Sequence, residues 1–119
     1  MLRMRRTHNM KATTVLCSDT MTVTVDGEIN TLTAPELAKT VADLSGVRSL
    51  IFDLDKVPYV SSAGLRLFLS CQRSMTAAGG DMRIIHINEF MAEIFESVGY
   101  DRIMRLERKQ TEGTNADAE

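Results

Sequence analysis

"LIFDLDKVPYVSSAGLRLFL", Leu50 to Leu69, changes its periodicity half-way along. With Ser49 in front, the first part is a short, nearly continuous apolar run bounded by polar residues. That pattern predicts a central strand covered on both faces by crossover helices. The last part opens a stripe at Leu65, Phe68, Cys71, Met75 and Ala78, the spacing of one helix face, and the Gly79-Gly80 pair ends it. The join is Ser61, Ser62, Ala63 and Gly64: two adjacent hydroxyls followed by two very small residues.

The flanks continue the same alternation. Upstream, "MTVTVDG" has Met21, Val23 and Val25 at every second position, the period of a half-buried strand ending at Gly27. "ATTVLCS" before it is a hairpin partner. From Ala34 the spacing becomes helical through Leu37, Val41 and Leu44, with Thr33 as N-cap, Glu36 completing a capping box and Pro35 tolerated in the first turn. Downstream, "DMRIIHI" resumes strand character. Asn88 caps a third helix with the stripe Phe90, Met91, Ile94, Phe95 and Val98, Gly99 closes it, and "RIMRL" is a short last strand. The order ββαβαβαβ predicts an α/β single domain, a mixed sheet of four or five strands with helices packed against it. About four helices are expected, the fourth only if the polar tail supplies it.

Residues 1–10 read as a basic N-terminal extension, 11–107 as the domain and 108–119 as a polar C-terminal tail. At 119 residues the chain builds one core. Its 44% hydrophobic and 25% charged residues are those of an average globular protein. A net charge of -2 gives no electrostatic case for direct nucleic-acid binding. No segment has the length and apolarity of a membrane insertion, and the basic start lacks an apolar run after it. Cys17 and Cys71 lie in separate apolar stretches, which predicts two buried thiols and a cytoplasmic protein.

Sites in open α/β sheets lie at the carboxyl ends of strands, and Ser62 falls at such an end, at or just before the second helix. A serine there is ordinarily an N-cap. Two hydroxyls exceed what a cap needs, and Ala63 and Gly64 leave room for another molecule to approach the backbone. The free N–H groups and positive dipole end of a helix start would stabilise a phosphate on the serine. A catalytic serine would need a positioned base. Only His8 and His86 exist; His8 lies in the basic leader and His86 in a strand, where a core or edge histidine is the commoner explanation. No glycine-rich phosphate loop or metal-ligand spacing occurs. No enzyme, cofactor or metal site is therefore expected.

"LIFDLDKVPYVSSAGLRLFL", "VDGEINTLTAPEL" and the Gly-Gly before "DMRIIHI" together resemble the STAS domain of bacterial anti-sigma factor antagonists, from Lys11 to Leu106 in element order. The resemblance implies a protein that binds an anti-sigma factor and thereby frees a sigma factor. The anti-sigma factor in that family is commonly a serine kinase, which phosphorylates the antagonist at this helix start and so releases it; a serine phosphatase acts on the phosphorylated form. By position the acceptor is Ser62, two places before the Gly-Leu pair, with Ser61 as the alternative. Asn30, Ser61, Ala63, Gly64, Leu65 and Arg66 are the expected partner-binding residues. Ser61 and Asn30 stand where some members have aspartate, which alters charge at the interface. Some STAS domains instead serve as unphosphorylated adaptors, one of them in a lipid-transport complex.

Overall fold

The computed structural model describes residues 10–110. The basic leader, apart from Met10, and the tail beyond 110 lie outside the described residues, and the expected fourth helix with them. The observed order is β1 (Lys11–Cys17), β2 (Thr20–Asp26), α1 (Ala34–Thr40), β3 (Ser49–Lys56), α2 (Ser62–Ala77), β4 (Asp81–Ile87), α3 (Glu89–Ser97), a 3-10 turn (Tyr100–Arg102) and β5 (Arg105–Arg108). It reproduces the expected ββαβαβαβ. β5 reaches Arg108, and Lys109 still donates its backbone N–H to the Ile87 carbonyl.

The strands form one five-stranded sheet in the order β1-β2-β3-β4-β5, with β1 antiparallel to β2 and the remaining pairs parallel. Cys17 pairs with Thr20 across a two-residue turn, and Ser18 takes a φ of 61° as its first residue. That conformation belongs to the primed turns whose twist suits a tight hairpin.

β3 is central, as its apolar run predicts, but it is not covered on both faces. From β2 onward each parallel strand lies beside its predecessor in chain order, so right-handed crossovers all place their helices on one face. Burial follows that geometry. Val23, Val25, Leu50, Phe52, Leu54, Met82 and Ile84 are buried, whereas the alternating Thr24, Ile51, Asp53, Arg83 and Ile85 are exposed or half-buried. On the covered face Phe52, Phe68 and Phe95 join β3, α2 and α3 edge to face, with ring centroids 4.9 and 6.0 Å apart.

The two cysteines do not share a fate. Cys71 faces the core from α2, but Cys17, expected to be buried, is exposed because it lies on the outer strand. Burial pushes the Cys71 thiol up to about 11, from an ordinary 9.0. Its folded pKa is raised, so its contribution to stability is complete below pH 9.0 and is lost as pH climbs through about 11. Two units correspond to about 2–3 kcal/mol. Urea unfolding between pH 8 and 11 is expected to show this loss in the wild type and a shallower one in Cys71→Ala. Equal slopes would contradict it.

Candidate functional site

The loops that follow β2, β3 and β4 lie at the same end of the sheet, because those strands run parallel. The first two are held together by the backbone: Ile29 and Val60 form a short parallel bridge, Ile29 donates to the Tyr59 carbonyl at 3.0 Å, and Ser61 donates to the Ile29 carbonyl at 2.8 Å. α2 starts on this platform. Ser61 is its N-cap, with extended φ and ψ of -87° and 179°, and its carbonyl accepts from Leu65. Ser62 is therefore the first helical residue, and it is exposed.

The two hydroxyls sit in different environments. The Ser61 side chain makes no capping bond; its Oγ is buried and has no hydrogen-bond partner. Ser62 stands in solvent at the positive end of a sixteen-residue helix whose first turn holds no acidic side chain. An anion on Ser62 would find the helix dipole and unbonded first-turn N–H groups. Arg66, also exposed, lies four residues on and hence on the same helix face. Beside Ala63 and Arg66, a groove of about 320 Å³ runs between α1 and α2, with Ala34, Pro35 and Ala38 on its other wall.

Gly64 differs from its expected role. It is buried, and a Cβ added there would lie 2.7 Å from both Ile29 Cγ2 and Val60 Cγ1. Its missing side chain lets α2 seat against the platform and opens nothing to a partner. Both neighbours are β-branched and at most 2% exposed, so neither can yield. Gly64→Ala is expected to cost about 1–3 kcal/mol by overpacking, read as a lower urea midpoint. An unchanged midpoint would refute the close approach.

Asn30 is half-buried and its side chain works within the loop. Oδ1 accepts from the backbone N–H of Leu32 at 2.9 Å and of Thr33 at 3.0 Å, while Nδ2 donates to Glu28 Oε1 at 2.9 Å. Thr33 Oγ1 accepts from the Asn30 N–H at 2.9 Å and donates to the Glu28 carbonyl at 2.8 Å. This reciprocal pair is a capping box. It stands three residues upstream of the expected Thr33 and Glu36 pair, because Thr33, a residue with no side-chain bond to α1, is spent on Asn30 and Glu28. The asparagine, not the threonine, carries the signal.

Ala63 and Leu65 are half-buried in the first turn of α2. Tyr100 Oη donates to the Leu65 carbonyl at 2.9 Å and ties that turn to the segment after α3. Sequence reasoning did not single out Tyr100. Nor did it foresee Tyr59, and it placed Phe90 on a buried stripe. Tyr59 and Phe90 are 38% and 54% exposed and stack with centroids 6.3 Å apart; Leu32 is 51% exposed. The segments that follow β2, β3 and β4 thus each present one exposed apolar side chain at this end of the sheet, Leu32 and Tyr59 from loops and Phe90 from the first turn of α3.

His86 is neither core nor edge. It is exposed at a φ of 61°, where the β4–β5 register shifts, and its Nδ1 lies 2.8 Å from Asp53 Oδ1. Among the described residues no hydrogen bond joins its ring to Ser61 or Ser62, no group of side chains is arranged to hold a metal ion, and no helix is long and apolar enough to cross a membrane.

A hairpin leading into three one-sided crossovers, with a serine at the start of the second crossover helix, defines the class: the chain belongs to the STAS domain family, whose model matches residues 11–114. It is similar to the anti-sigma-B factor antagonist of Staphylococcus aureus (strain NCTC 8325 / PS 47), 27% identical over 97 residues, covering 80% of this chain and 86% of the relative. Among solved structures, an anti-sigma factor antagonist from Mycobacterium paratuberculosis shares the fold with a TM-score of 0.75 at 20% identity, over 92% of this chain and 93% of that one. The Bacillus cell fate determinant SpoIIAA in its phosphorylated form gives a TM-score of 0.67 at 17% identity, over 91% and 98%.

Proposed function

We propose that the chain is an anti-sigma factor antagonist whose partner is an anti-sigma factor with serine kinase activity, bound at the Ser62 end of the domain. The observation that carries this reading is the split between the two serines: Ser62 exposed on a helix N-terminus, Ser61 Oγ buried beside it. The names of the curated relatives support the same class. In the free form the Ser62 end, together with the exposed Leu32, Tyr59 and Phe90 at the same end of the sheet, occupies the anti-sigma factor and leaves the sigma factor free. Phosphorylation reverses this. The Ser62 hydroxyl oxygen attacks the γ-phosphorus of ATP bound to the kinase, the bond to ADP breaks, and the hydroxyl proton passes to a base of the kinase. The domain supplies the acceptor and its geometry, and a serine phosphatase restores the free form.

The test is affinity capture from an extract of the source cells, with the unphosphorylated chain as bait. Recovery of an ATP-binding serine kinase that phosphorylates the bait supports the reading. Consistent recovery of transporter subunits, with no phosphorylation, contradicts it and selects the adaptor role.

A further inference from the structure

The two edges of the sheet are built differently. β5, at one edge, is four residues long and three of them are charged, Arg105, Glu107 and Arg108. Short charged strands are how natural sheets prevent edge-to-edge pairing. β1, at the other edge, is longer and has a single charge, Lys11 at its first position. It runs seven residues in unbroken register with β2, and no charge, proline or glycine occurs from Ala12 to Ser18. All of β1 except Ala12 is exposed, Val15 by 60% and Leu16 by 58%. Among the described residues no strand pairs with its outer side.

The hairpin turn decides which backbone groups point outward. A two-residue turn makes its flanking pair, Cys17 and Thr20, a hydrogen-bonded one. Alternation then turns Val15, Thr13 and Lys11 toward β2, and leaves the N–H and C=O groups of Leu16, Thr14 and Ala12 at the free edge.

We infer that β1 is a homodimerisation edge: β1 of a second copy pairs with it, antiparallel, about a two-fold axis at Thr14. Only that register matches all three outward residues at once, Thr14 facing Thr14 and Ala12 facing Leu16 of the second copy. No like charges meet in that register: Lys11 lies opposite Cys17 of the second copy, and no other residue of the paired strands is charged. Side chains at Ala12, Thr14 and Leu16 lie on the helix side of the sheet, beside Val25, Val23 and Met21, so Leu16 gains apolar cover. One short strand on another stays below about 1,200 Å² of buried surface, so the dimer is weak, forming at roughly micromolar concentrations or above. The β1 edge lies on the far side of β2 from α2, and none of its residues is assigned to the Ser62 site, so this inference and the proposed function stand or fall separately.

Sedimentation and residue-resolved amide exchange of the full chain from about 10 µM to 1 mM test it. The mass is expected to rise toward that of a dimer. The Ala12, Thr14 and Leu16 amides should gain protection at least tenfold across the range, while Thr13 and Val15 are protected throughout. Thr14→Pro removes one outward N–H and should remain monomeric, with Thr13 and Val15 still protected; Leu16→Lys should do the same without a backbone change. A constant monomer mass would overturn the proposal. So would concentration-independent protection of the three outward amides, or association that survives both substitutions.

Discussion

Ser62→Asp is expected to weaken binding of the anti-sigma factor at least a hundredfold while leaving the fold intact, and Ser62→Ala to bind like the wild type. The asymmetry follows from where the residue sits. In the free domain an aspartate at the first position of α2 meets a helix start with no acidic side chain, a placement that stabilises by roughly 0.3–1 kcal/mol. In the proposed complex the same carboxylate would be covered by a partner surface that accommodates a hydroxyl. Removing a charge from water without a matching cation costs several kcal/mol in order of magnitude, and a hundredfold loss requires only about 2.7 kcal/mol. Phosphoserine, with about 1.5 to 2 negative charges, exceeds the mimic. Isothermal titration against the captured kinase, with thermal unfolding of each variant alongside, measures both halves. Tight binding by Ser62→Asp would contradict the account. A lowered melting temperature in that variant would also contradict it, by assigning the effect to folding.

Phe68→Ala is expected to destabilise the domain by about 3–5 kcal/mol, the usual loss for a buried aromatic. Phe68 is 0% exposed and lies between Phe52 of β3 and Phe95 of α3. Its removal leaves a cavity between two rings that cannot close on each other while the strand and the third helix hold their places. The consequence reaches the Ser62 end because Phe68 is the second-turn residue that seats α2 on the sheet. Chemical denaturation gives the number; a loss below about 1 kcal/mol would mean that α2 is not anchored through this ring.

The element order was legible because period-two and period-3.6 patterns alternate cleanly from Met21 to Leu106, and Asn88 indeed caps α3 by accepting from the Met91 N–H at 2.7 Å. What escaped the sequence was whatever depends on the third dimension. Ile51 makes β3 read as apolar on both sides, yet the uniform direction of the crossovers leaves its face uncovered by helices. Asn30 and Thr33 form the capping box because Thr33 is also within reach of the Glu28 carbonyl, a competition invisible to a Thr-x-x-Glu pattern. Gly64 is small for the sake of Ile29 and Val60, which lie thirty-five and four residues away along the chain. Phe90 fits a helical stripe by spacing but stacks on Tyr59 at the surface. The position of Ser62 at the helix start was legible, since a strand, a small-residue join and a helical stripe follow one another there. That Ser61 Oγ would be buried and Ser62 exposed was not, because two adjacent serines do not reveal which is the extended N-cap and which the first helical residue.

That difference is the centre of the account, and phosphopeptide mapping tests it most directly. Wild type, Ser61→Ala and Ser62→Ala are incubated with the captured kinase and ATP, digested, and the modified residue located by mass. Phosphate is expected on Ser62 in the wild type and in Ser61→Ala, and none in Ser62→Ala. Phosphate on Ser61 in Ser62→Ala, to the wild-type extent, would contradict it.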